Sequence, residues 1–196
     1  MSHIGRPLEF DPEEALESAM LLFWQHGYEA TSLHDLITEM GLSKSSFYQT
    51  FKSKQSLFKN CILHYKELLL GQLKQQLKDA SSGRSFIEIL FKMIASEADS
   101  SDIPKGCLLM NTANEFSQTD PEISKMVRAS IESLTNIFEQ AIQQSQKKGE
   151  ITTEISPINL AIYLVTSISG LRNMIKAGES RKELNEVVKL TLSVLD

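Results

Sequence analysis

The chain has 196 residues, 41% of them hydrophobic and 23% charged, with a formal net charge of −5. That length can bury a sizeable core in one domain or in two small ones, and the acidic balance argues against gripping nucleic acid through bulk charge. No run of 18 apolar residues predicts a membrane-spanning helix, Met1–Pro7 lacks the apolar core of a secretory signal, and two cysteines, Cys61 and Cys107, make no disulfide framework, so a cytoplasmic protein is expected.

In chain order, almost every segment carries a helical period between marked ends. Asp11-Pro12-Glu13-Glu14 supplies an N-cap, a first-turn proline and acids at the positive end of a helix dipole. Leu16, Ala19, Met20 and Phe23 form its apolar stripe and Gly27 closes it. Ser32 caps a second, short helix striped by Leu33, Leu36, Ile37 and Met40 and stopped by Gly41. A third starts at Ser43 and ends near Phe51, with Phe47 and Phe51 facing inward. Ser53 caps a long fourth helix that fades at Ser81-Ser82-Gly83. Further helices are predicted from about Ser85 to Ala98, from around Gly106, from Asp120-Pro121 to Lys147, from Ser156-Pro157 to about Ala177, and from Ser180, with Glu183 as its capping-box partner, to Leu195. No strand pattern of useful length and no repeat appears. The expected fold class is all-α with about nine helices, divided into residues 1–52 and 53–196.

Two short amphipathic helices joined by a brief turn containing glycine are what a helix-turn-helix requires, so the N-terminal third predicts a reader of double-stranded DNA. Residues 40–66 hold Lys44, Lys52, Lys54, Lys59 and Lys66 and no acid. On an acidic chain that is a local basic face of limited footprint, although a solvated lysine face is the plain alternative. Lys44 can reach a phosphate or a guanine edge. Ser45 is small enough to let the helix sit deep in a major groove, and Ser43, which can cap the helix as well, and Ser46 are DNA-binding candidates beside it. Gln49 can pair with an adenine edge. Thr31, Ser32 and His34 lie where free backbone N–H groups at a helix start attract phosphate, as does Lys54 on the fourth helix. Arg6 could enter a minor groove.

The helix from Pro157 is apolar on nearly all sides, with Leu164, Ile168 and Leu171 among its bulk, and the last helix adds Leu184, Val188 and Leu195. A helix so apolar must be covered all round. These six residues predict a homodimer built on an intermolecular four-helix bundle, the alternative being two central core helices.

Several of these residues carry a family resemblance. Ala15-Leu16, Phe23, Gly27-Tyr28-Glu29-Ala30-Thr31-Ser32, Asp35-Leu36-Ile37, Gly41-Leu42-Ser43-Lys44, Phe47-Tyr48, Phe51, Lys54 and Leu57-Phe58 form a long, ordered pattern. It resembles the TetR/AcrR family of bacterial transcriptional regulators. Gly106-Cys107-Leu108-Leu109, Gly149-Glu150-Ile151 and Gly170-Leu171 match more loosely. The resemblance implies a homodimer whose N-terminal unit binds operator DNA and whose C-terminal helices form the dimer interface and an inducer pocket. It implies a repressor released by an unidentified small molecule, and gives Tyr48 the role of a phosphate donor. Ser45-Ser46, Trp24 and Thr50 depart from the usual pattern and bear on operator choice.

Candidates for the effector pocket are Phe91, Met110, Asn111, Asn114, Phe138, Tyr163 and Asn173, which mix apolar bulk with polar groups; any one is more often ordinary core. Cys107, near a helix start with Lys105 close by in sequence, could be an electrophile-reactive thiol in a chain with weak or lost DNA binding, or a small packing residue. His26 and His64 lack metal-ligand spacing, so no metal or cofactor is predicted. There is no nucleophile elbow, phosphate-binding glycine loop, HExxH or CxxC, which predicts a protein that is not an enzyme.

Overall fold

The computed structural model describes residues 10–100, 106–116 and 119–196; Arg6 and Lys105 lie outside them. Among the described residues there are nine α-helices: α1 Pro12–His26, α2 Leu33–Glu39, α3 Lys44–Phe51, α4 Lys54–Asp79, α5 Gly83–Ser96, α6 Leu108–Phe116, α7 Pro121–Lys147, α8 Pro157–Lys176 and α9 Arg181–Leu192. Short 3-10 turns, Glu97–Asp99 and Ser193–Leu195, follow α5 and α9.

Most helix starts carry a side-chain cap, Ser82 among them although the sequence placed it at the end of α4, whereas Ser156 ahead of α8 makes no such bond. The Asp11, Ser32, Ser43, Ser82, Asp120 and Ser180 side chains accept first-turn backbone N–H bonds, each substitution-sensitive by roughly 1 kcal/mol. At Ser32 the partner is Asp35, which returns the bond to the Ser32 N–H and completes a capping box. At Ser180 the half in which its side chain accepts from the Glu183 N–H is formed.

The chain divides into two compact units, the first ending at Tyr65 and the second running Lys66–Asp196. The division falls inside α4 rather than ahead of it at 52/53, because the start of α4 belongs to the first core. Phe58 meets Phe23 edge to face at 4.8 Å and Tyr28 at 4.9 Å. Tyr65 meets Trp24 at 4.9 Å, and the Cys61 thiol points at the Leu16 carbonyl. Phe23, Leu36, Phe47, Leu57, Phe58 and Ile62 are buried to within 1% of full enclosure. Each such side chain contributes roughly 1.5–3 kcal/mol.

In the second unit α7 packs against α5, α6 and α8, while α9 packs on α5. Gly83 opens α5 instead of merely ending α4. A Cβ there would stand 2.0 Å from the Ala141 carbonyl oxygen, so the α5–α7 crossing requires glycine. Arg84 then ties three segments together: Glu88 at 3.0 Å, the Glu150 carbonyl at 2.8 Å and Asp196 at 2.6 Å. By length and composition α8 could cross a membrane. Its Leu160, Ala161, Leu164, Val165, Leu171 and Ile175 are instead buried within this unit, as in a core helix.

Candidate nucleic-acid interface and core cavity

The turn between α2 and α3 explains how the polar residues of α3 come to be displayed. Gly41 takes φ +64°, its N–H bonds to the Thr38 carbonyl and that of Leu42 to the Ile37 carbonyl. This Schellman closure ends α2 sharply. Leu42 is buried, and Ser43 at once caps α3 by accepting the Ser46 N–H at 3.1 Å. Phe47 and Phe51 anchor the inner side of α3, with exposures of 0% and 5%.

The outer side presents Lys44, Ser45, Tyr48 and Gln49, all exposed and within one arc of the helix. Tyr48 is 46% exposed and its ring is fixed edge-on against Phe47 at 5.5 Å. Ser43 is also exposed, with its hydroxyl 2.9 Å from that of Ser45 and 2.8 Å from that of Ser46, which is half-buried and turned into the cap. At the start of α2, Ser32 and His34 are exposed. The Ser32 hydroxyl, followed by its backbone N–H, holds the Asp35 carboxyl below its ordinary value.

Thr31 is a correction. It is 2% exposed and donates its hydroxyl to the Gly27 carbonyl at 2.6 Å, so it locks the α1–α2 turn and offers nothing to a phosphate. Lys54 is half-buried, with Nζ 4.1 Å from the centre of the Tyr28 ring. Tyr28 thus holds the Lys54 ammonium against its ring, a contact that the sequence reading missed. The only signal for Tyr28 was its place beside Gly27 in the family pattern.

The effector candidates scatter. A cavity of about 40 Å³ lies within the second unit, between the end of α4 and helices α5 to α8. Of the candidates, Cys107, Met110 and Phe138 line it, with Leu69, Leu73, Leu90, Ile94, Leu134, Val165, Ile168, Ser169 and Arg172. Phe91 is fully buried in the surrounding core without lining the space. Asn111 is half-buried beside Gly106, also off the cavity. Asn114, Tyr163 and Asn173 are exposed, so they point away from it. Sequence reasoning passed over Arg172, although it is the first charged residue in α8 after Pro157 and lies among aliphatics. Cys107 is 7% exposed and lines the cavity, while burial pushes the Cys61 thiol far up and makes it inert.

The expected dimer contacts also need correcting. Leu164, Leu171, Leu184, Val188 and Leu195 are between 0% and 3% exposed, and Ile168 packs on the same core. They are spent inside one chain. The uncovered apolar groups on these helices are Ile158, Ile162, Tyr163 and Met174 of α8 and Val187 and Leu190 of α9, Leu190 at 73% exposure.

Comparison with known proteins gives a concordant result. Residues 15–61 match the family described as bacterial regulatory proteins, tetR family, and residues 85–190 match the tetracyclin repressor-like C-terminal domain. The chain is 32% identical to the HTH-type transcriptional repressor ComR of Escherichia coli, covering 96% of this chain and 90% of that protein. It is 29% identical to the uncharacterized HTH-type regulator YezE of Bacillus subtilis, covering 98% and 100%. A cysteine-substituted form of the TetR family regulator CifR, solved with 26-base-pair double-stranded operator DNA, superposes with a TM-score of 0.83 at 27% identity, covering 98% of this chain and all of that one. With a 32%-identical repressor along nearly its full length and family matches at both ends, the chain belongs to the TetR family of bacterial regulatory proteins and is a DNA-binding transcriptional regulator.

Proposed function

We propose that this chain acts as a homodimeric repressor that holds a two-fold-symmetric operator through α3 and releases it when a small molecule occupies the cavity of the second unit. The observation that carries the reading is the exposed Lys44–Ser45–Tyr48–Gln49 set on a helix anchored by Phe47 and capped by Ser43. Such a helix is rigid and presents both cationic and base-pairing groups, as major-groove readout needs. Residues up to Tyr65 form the DNA-reading domain, and the second unit serves dimerisation and sensing. The exposed apolar groups of α8 and α9 form the subunit contact, which supports the dimer. The chain works in the cytoplasm and without catalysis, in keeping with its regulator family.

The test is a mobility shift with DNA from upstream of the chain's own gene. Lys44→Ala and Lys54→Ala should each weaken binding to all sequences and flatten the salt dependence by about one unit. A salt slope unchanged by both substitutions would remove these lysines from the interface.

A further inference from the structure

Among the described residues that line this otherwise nearly apolar cavity, Arg172 is the one cation, with Ser169 beside it. Its side chain is 19% exposed and its guanidinium meets the Glu97 carboxylate at 3.1 Å, while Glu97 is 44% exposed. The 3-10 turn Glu97–Asp99 is thus strapped to α8 by Arg172 and to α9 by Arg181, which meets Asp99 at 2.7 Å. We propose that the effector is a small amphipathic monoanion: its apolar body fills the cavity, and its carboxylate takes Arg172 from Glu97 and so unstraps the turn.

A purely apolar ligand would leave the Arg172–Glu97 pair in place and so could not unstrap the turn. A carboxylate inside the cavity meets the guanidinium where water is excluded and can bind it through two nitrogens. Glu97, half-exposed, returns to solvent, and pairs that wet contribute little. The exchange favours the buried anion.

The cavity as it stands holds only a few waters, at roughly 10–15 Å³ for each. Met110 and Val165 also line a groove of about 310 Å³ between α7 and α8, bounded by Ile158 and Ile162 of the subunit contact proposed above. Met110 is half-buried and unbranched, so a rotation of its side chain joins the two spaces.

This inference rests on the sensing role proposed above, and its test separates the two. Isothermal titration of the full chain with octanoate and with 1-octanol compares one apolar body with and without the charge. Octanoate should bind at least about tenfold tighter. Arg172→Gln should abolish that advantage, whereas Glu97→Gln, which removes the competitor, should tighten octanoate several-fold and leave 1-octanol unchanged. A merely structural ion pair would not produce opposite signs. If Arg172→Gln fails to fold, the sign of Glu97→Gln decides. Octanol binding as tightly as octanoate, Glu97→Gln weakening octanoate, or no octanoate binding at millimolar concentration would each overturn the proposal. Charge-selective binding without operator release in the mobility shift would leave the ligand class standing and refute the release mechanism.

Discussion

The two units are stabilised by different means. Up to Tyr65 the helices are sharply capped and held by interlocked rings of Phe23, Tyr28 and Phe58, and their exposed face at α3 is polar. Beyond it α7 and α8 are long, apolar residues of α8 and α9 reach the surface at Ile162, Met174, Val187 and Leu190, and an internal space is left beside Arg172. The difference teaches how to read each region. A small rigid core with polar groups outside suits a reading head that must not deform. Apolar surface and internal space mark places a second subunit or a ligand can fill.

The largest effects should separate buried from exposed leucines in the second unit. Leu164→Glu forces a carboxylate into a fully enclosed site and is expected to unfold the unit, since an unpaired buried charge costs several kcal/mol. Leu190→Glu, at 73% exposure, should leave the fold intact and yield monomers. Sedimentation with circular dichroism distinguishes them, and a dimeric, folded Leu190→Glu chain would move the subunit contact elsewhere.

Glycines sharpen the comparison at the next scale. Gly83→Ala must displace α7 backbone and should cost about 3 kcal/mol or more in denaturant unfolding. Gly41→Ala meets no atom within 4 Å and suffers only its positive φ, so about 1–2 kcal/mol is expected. Equal losses would mean that the α5–α7 crossing relaxes freely.

On the reading face, Gln49→Ala should leave thermal stability unchanged and relax preference at a single base pair by about 1–3 kcal/mol, measured by binding to an operator series. An unaltered specificity profile would make Gln49 a bystander. Tyr28→Leu should weaken operator binding modestly by releasing the Lys54 ammonium, and Tyr28→Phe, which keeps a ring beneath it, should restore it.

The smallest effect is on acid stability. Asp35 is held below its ordinary value near 3.8 by the Ser32 hydroxyl and N–H, and Glu150 below 4.5 chiefly by the Ser145 hydroxyl. A carboxyl whose folded value is depressed stabilises fully above its unfolded value and loses that contribution as pH falls through the folded one. Stability should therefore be flat from neutrality to about those ordinary values and decline below them, and Ser32→Ala should reduce the Asp35 share of the decline.

Much of the reading site was legible because its determinants are local. Caps, Gly41, and the Phe47–Phe51 pair fix which residues of α3 face out, whatever packs behind them. Thr31 escaped because its hydroxyl is consumed by a carbonyl four residues back, a bond that burial decides. In the second unit local pattern was a poorer guide. Nearly every position of α8 is apolar, so periodicity cannot say which side faces α7 and which faces out, and Leu164 was read as a subunit contact while Tyr163 was read as pocket.

By itself the sequence determined the all-α class, the helix boundaries to within a turn, and the order of residues displayed by the DNA-reading helix. Those follow from propensity, capping and short-range periodicity, which act within a few residues of chain. Only the tertiary structure decided which leucines are spent inside, where space remains, and that Arg172 lines that space with Glu97 as a partner. Those outcomes depend on contacts between helices far apart in sequence, where one-turn differences in packing exchange a buried side for an exposed one.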